Sequence, residues 1–102
     1  MATNYRLSQA AQDDLDEIWD EVFEESRSIV VADRVLEKIF DALDLLGEQP
    51  GVGHMREDLT DRPLRFWSVY SYLIVYKFDD SPIPIVAVVH GARDVSLFLK
   101  KR

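Results

Sequence analysis

Three side chains with chemical potential sit at or near the ends of one strand-rich stretch, Leu64 to Asp94. Arg65 lies near its start, and His90 and Arg93 lie in the closing run His90-Gly91-Ala92-Arg93-Asp94. A guanidinium is a planar fork of donors suited to carboxylates and phosphates, and an imidazole is a proton carrier or a hydrogen-bond partner. The plain alternatives are open too. His90 reads equally as a strand-end residue bonded to backbone, and either arginine as a bridge to Asp94 or to a helix carboxylate. The chain's other histidine, His54, reads as an exposed loop residue. With 35 residues between the two histidines and no cysteine in the chain, the sequence offers no metal-ligand cluster.

A run of carboxylates, Asp13, Asp14, Asp16, Glu17, Asp20, Glu21, Glu24 and Glu25, is the second feature with chemical potential. It lacks the histidine or glycine-bearing loop that a dedicated metal site mixes with acids, so it reads as a solvated helix face. Gly51-Val52-Gly53 is too short for a phosphate-cradling loop, and no lysine follows it.

The elements that must position these groups follow from periodicity. Ala11, Leu15, Ile18, Trp19, Val22 and Phe23 form an apolar stripe of helical period behind Ser8, a residue suited to capping a first turn. Ser26-Arg27-Ser28 breaks the pattern. Ala32, Val35, Leu36, Ile39, Phe40, Leu43 and Leu46 then resume it up to Gly47, which reads as a left-handed cap with Pro50 beyond. Two amphipathic helices with a short break between them predict an antiparallel helical hairpin, with Trp19 and Phe40 in its core. Residues 47–63, rich in Gly and Pro, read as a connection. β-branched and aromatic residues then predict strands. The first hairpin turn falls at Ser68-Val69-Tyr70-Ser71, and a near-continuous apolar strand spans 72–76. In the last strand Ile85, Ala87 and Val89 oppose Val86, Val88 and His90. Tyr5-Arg6-Leu7 reads as a short edge strand, and Val95 to Leu99 as a short helix or strand.

Length bounds the rest. A chain of 102 residues with 47% hydrophobic content predicts one domain, 1–102, with one modest core. No apolar run approaches the ~20 residues of a membrane span, and the start of the sequence has no signal-like core, so a cytoplasmic protein is expected. Residues 1–60 hold 15 acids against 5 bases, and residues 61–102 hold 4 against 7, which splits the net −7 into −10 and +3. Such a balance disfavours tight direct nucleic-acid binding, and the acidic half suits a basic partner or mere solubility.

In order and spacing, these pieces resemble the ParE/RelE superfamily of toxins from bacterial type II toxin–antitoxin modules. The residues carrying the resemblance are Tyr5-Arg6-Leu7-Ser8, Ala10 to Leu15 with Ile18-Trp19, Gly51-Val52-Gly53 with Arg56, Arg65, Tyr72 to Tyr76, and His90 to Asp94, the last resembling the ParE branch. The resemblance implies an α+β fold. Its sheet is small and antiparallel (mixed at the N-terminal strand), with an α-helical hairpin packed on one face, in the order β-α-α-β-β-β with a short C-terminal element. The sheet face left free by the hairpin is then the expected seat of function.

The resemblance further implies a toxin neutralised by a cognate antitoxin that folds on binding, with DNA gyrase as target through protein–protein contact and no cofactor. Arg65, Trp67, Tyr72 and Arg93 are the antitoxin-binding candidates, and residues 93–102 are the candidate gyrase-facing segment. A homodimer or a heterotetramer with antitoxin is open. The alternative is a RelE-like ribosome-dependent mRNA endoribonuclease, for which Arg65, His90, Arg93 and Tyr76, with Lys77 as a helper, would supply acid, base and cations. Against it, Ala87 stands where many relatives carry a basic residue. A third reading is a toxin fold that has lost toxicity and persists as a binding partner.

Overall fold

The structure, a computed structural model, describes residues 4–102. The elements run β1 (Tyr5–Leu7), α1 (Gln9–Ser26), α2 (Ile29–Glu48), a 3₁₀ turn (Pro50–Val52), β2 (Arg65–Val69), β3 (Tyr72–Tyr76), β4 (Ile83–His90) and α3 (Val95–Lys100). The four strands form one sheet in the order β1-β4-β3-β2. β1 runs parallel to β4 and the other pairs are antiparallel. This is the expected mixed α+β architecture.

Local chemistry sets the helix ends. Ser8 Oγ accepts from the Ala11 N–H at 3.0 Å and so opens α1. Arg27 closes it in the left-handed region, with φ 55°, and donates its N–H to Phe23 O. Ser28 then caps α2 through the Val31 N–H. Two caps flanking one left-handed residue give the tight helical hairpin. The expected stop at Gly47 is corrected: α2 continues to Glu48, and no glycine among the described residues has positive φ. Gly47 instead allows close approach, because a Cβ there would lie 2.8 Å from Asn4 Cβ, just ahead of β1.

The helices cover one sheet face. Ala11, Leu15 and Ile18 of α1 and Ile39, Leu43 and Leu46 of α2 pack on Ile74, Tyr76, Ile83, Ile85 and Val88. Trp19 and Phe40 do not join this core. Trp19 is half-buried, stacked on Phe23 with ring centroids 5.4 Å apart and donating its indole N–H to Asp33 at 2.9 Å. Phe40 is 36% exposed on α2. Both lie off the centre of their stripes, where a broad apolar arc reaches the hairpin's flank.

The expectation of a free second face is also corrected. Leu64, Phe66, Val75, Ala87 and Val89 form a second buried cluster on that side, covered by Val95 and Leu99 of α3 and by Leu59 of the connection. α3 is a helix, opened by Asp94 Oδ1 accepting from the Leu97 N–H, and its i, i+4 pair Val95 and Leu99 points inward. The central strands β3 and β4 are apolar on both sides, so exposing either face would leave a large hydrocarbon surface in water.

Two register details differ from simple alternation. Val75 pairs with Ala87 but Tyr76 pairs with Ile85, so Val86 is the extra residue of a β-bulge. The bulge puts Ile85, Val88 and His90 on the helix side and Val86, Ala87 and Val89 on the other, which reassigns Ile85 and Val86 from their expected faces. The first hairpin turn is only Tyr70-Ser71, since Ser68 and Val69 belong to β2.

Asp14 departs from the expected solvated face. It is 6% exposed and accepts from the Val88 N–H at 3.0 Å. Arg102 donates to both its oxygens, at 2.5 and 3.0 Å, and to Val86 O at 3.0 Å. β1 reaches only as far as Ile85 along β4, so this ion pair closes the stretch of edge that β1 leaves open.

Candidate functional site

The candidate residues fall at two ends of the sheet. Arg65 shares a row with Tyr76 and Ile85, whereas Val69 shares one with Tyr72 and His90. The rows are four residues apart along β3, about 13 Å at the usual strand rise. Arg65 and Tyr76 are therefore brought together, as are Tyr72, His90 and Arg93, but the two sets do not meet at one reacting atom.

The Arg65 end is closed on itself. Tyr76 Oη donates to Pro50 O at 2.6 Å and accepts from the Gly53 N–H at 3.0 Å. Arg65 Nη1 donates to Gly53 O at 2.8 Å, and its guanidinium lies 4.0 Å from the Phe78 ring centroid. Arg65 Nε is buried without a hydrogen-bond partner among the described residues, and the Gly53 and Phe78 contacts turn the guanidinium into the fold. Gly53 admits no Cβ, because one would run into the Tyr76 ring. Burial raises the Tyr76 phenol above its ordinary value, against the smaller opposite pulls of the Gly53 N–H and the Arg65 charge. His54 exchanges both backbone hydrogen bonds with Phe66, tying the connection to the edge of β2. The whole constellation fixes residues 50–54 to the sheet.

The opposite end is less committed. The His90 ring stands edge-on to Tyr72, with centroids 5.3 Å apart, and its Nδ1 accepts from the Ala92 N–H at 3.0 Å. A backbone N–H can only donate, so Nδ1 carries a lone pair and the ring proton sits on Nε2. A general base at Nε2 would need the proton on Nδ1 and two donors face to face. His90 is built to donate from Nε2 and to shape the turn, in which the Arg93 N–H also returns to His90 O at 3.0 Å. Burial raises the Tyr72 phenol too, helped by Glu21 and Glu25 of α1. The exposed Arg93 side chain has one described contact, 5.9 Å from the Phe98 ring centroid. Trp67 lies between the two ends, half-buried against the helix-side core, and Lys77 is exposed beyond β3.

On the α3 side of this second end the cover stops short, leaving a cleft of about 270 Å³ between the Tyr70-Ser71 turn and the Gly91–Arg93 turn. Arg56, Ser68, Tyr70, Leu73 and Arg93 line it. Arg56 is already held by Asp58 through two hydrogen bonds, at 3.0 and 2.8 Å, which raises the arginine and lowers the acid from their ordinary values. Tyr70 falls in the hairpin turn expected from sequence, where it carries no functional assignment. Its signal is an aromatic where a two-residue hairpin loop usually carries Gly, Asn or Asp. Among the described residues no three His, Asp or Glu side chains gather as a metal site, and no helix is long and apolar enough to cross a membrane.

A four-stranded mixed sheet with a helical hairpin on one face and a short C-terminal helix on the other defines a small α+β fold. Residues 5–95 match the family model described as the ParE toxin of the type II toxin-antitoxin system, parDE. The chain belongs to that family, and its partner by family is a cognate antitoxin. No curated protein matches the chain at a significant level.

Proposed function

We propose that this toxin inhibits DNA gyrase by protein–protein contact and is neutralised by its cognate antitoxin, without cutting RNA. The observation that carries the reading is the hydrogen bond from the Ala92 N–H to His90 Nδ1, which favours the tautomer protonated on Nε2 and so disfavours a base there. The separation of Arg65 and Tyr76 from His90 and Arg93 supports it, because RNA cleavage needs base, acid and cations around one phosphate. The net charge of −7 weighs the same way against a phosphate-rich substrate.

Inducing the chain alone should arrest growth, and co-expressing the antitoxin should restore it. Purified protein should reduce gyrase supercoiling or trap cleaved DNA. Codon-positioned mRNA cuts that vanish in His90→Ala would replace this reading with the ribonuclease. Normal growth at verified expression would leave a scaffold that only binds.

A further inference from the structure

We propose that the tip of the helical hairpin is the surface that engages the target, seating Ile29, Val30 and Val31 in an apolar socket rimmed by basic side chains. The inference deepens the reading above and rests on it, since a protein that holds DNA carries basic surface for the phosphates.

The tip exposes hydrocarbon to water. Ile29, Val30 and Val31 are 58%, 64% and 38% exposed, and no other run of three large apolar residues among the described residues is exposed throughout. They form the first turn of α2, directly after its Ser28 cap. Helix side chains lean toward the N-terminus, so these three project past the end of the helix. Single surface hydrophobes need no explanation, but three in one turn form a patch.

Both helix ends at the tip are built against their own stability. The first turn of α2 carries no acid where the macrodipole favours one, and β-branched residues stand there instead. The last turn of α1 carries no base, and it holds Glu24 and Glu25 where the macrodipole disfavours them. Residues that break local rules with no gain in packing answer to something outside the chain.

Charge specifies the occupant. Residues 20–33 hold five acids, Asp20, Glu21, Glu24, Glu25 and Asp33, against Arg27 alone, and Arg27 is already paired with Glu24 at 3.5 Å. An apolar knob in an acidic ring fits an apolar hollow in a basic one. Tip-to-tip pairing of two copies would set two acidic rings face to face. The segment 93–102 is a poorer contact for such a target. Val95 and Leu99 are in the core, Arg102 is held by Asp14, and the remaining cations have the same sign as the basic rim. The tip is also well placed to reach a partner. α1 passes Val88 at Asp14, and Glu21 and Glu25 act on Tyr72, so the break at Ser26-Arg27-Ser28 lies beyond the Tyr72–His90 row that ends the sheet.

The test measures the affinity of the full-length chain for assembled gyrase and for the full-length antitoxin, with melting temperature followed for every variant. Val30→Glu removes apolar surface and gives the start of α2 the acid it lacks. It should weaken gyrase binding about 10-fold or more, the weight of one buried valine side chain, while the melting temperature holds or rises. Glu25→Lys should also weaken gyrase binding while mending the end of α1, and gyrase affinity of the unaltered chain should fall as salt rises. Antitoxin affinity should stay unchanged in both variants. Unchanged gyrase affinity in either variant overturns the proposal and leaves gyrase inhibition standing. Antitoxin affinity lost in place of gyrase affinity assigns the tip to the antitoxin and overturns it too. A free chain that self-associates, and that Val30→Glu renders monomeric, overturns it in favour of a second copy. Failure of the unaltered chain to bind gyrase brings down both this inference and the reading beneath it.

Discussion

The two ends of the sheet are built from nearly the same parts and use them in opposite ways. At one end Arg65, Tyr76 and Gly53 are joined by three hydrogen bonds that close on Pro50 and Gly53. At the other, Arg93, Tyr70 and Gly91 surround an open cleft, and neither the arginine nor the tyrosine is tied down. Residue type does not separate a structural arginine from one free to recognise a partner. What separates them is whether the guanidinium is already packed into the fold: Arg65 lies against the Phe78 ring and the Gly53 carbonyl, even though its Nε has no described partner. A guanidinium under an aromatic ring and against a buried carbonyl is part of the fold, and one at the mouth of a cleft is available.

Stability measurements can break or sharpen that contrast. Outside the two ends, Asp14→Ala sets the upper scale. It strands the Arg102 guanidinium and the Val88 N–H, and should cost about 3–5 kcal/mol in chemical denaturation. Gly53→Ala forces a methyl group into the Tyr76 ring and should cost about 3 kcal/mol. Tyr76→Phe leaves Pro50 O and the Gly53 N–H without their partner, for about 2 kcal/mol. Arg93→Ala, at the open end, should change stability by less than about 0.5 kcal/mol. A loss from Arg93→Ala as large as that from Tyr76→Phe would erase the distinction.

Titration offers the smallest and most selective effect. The folded Tyr76 holds its proton above the ordinary value of 10.0, so the unfolded chain ionises first as pH rises. The stability this tyrosine contributes is whole below about pH 10 and drains away as pH climbs through the folded value. Tyr76→Phe should therefore show a shallower alkaline loss of stability than the parent, read as denaturation midpoints across that range.

Much of the fold was legible from period alone. The stripe of Leu15 and Ile18, the second stripe of Ile39, Leu43 and Leu46, and the apolar run 72–76 each have a spacing that permits one kind of element. What escaped depends on partners distant in sequence. The bulge at Val86 is a shift in the pairing of β4 with β3, which a single strand's pattern does not encode. The cover on the second face comes from a helix of only 6 residues, whose inward pair is a weak periodic signal. Asp14 was grouped with the solvated acids although it falls three residues after Ala11, within the buried stripe. Its role becomes readable only with Arg102, 88 positions away. Of the site, His90 and Arg93 were found together by their shared motif. Arg65 was grouped with them by charge, and only the register separates it from them.

The Asp14–Arg102 pair has a consequence for how the molecule comes together. A carboxylate and a guanidinium occupy the length of β4 where a neighbouring strand would otherwise run, offering one acceptor and one donor in place of a ladder. Until Arg102 arrives, Val86 and Val88 present a bare, sticky border able to pair with another chain. The contact joins positions 88 apart, so the far end of the chain has to be in place before this border is shielded. A chain that lacks Arg102 keeps the folded core but leaves Val86 and Val88 open to another strand, which makes that form prone to cling to its own kind.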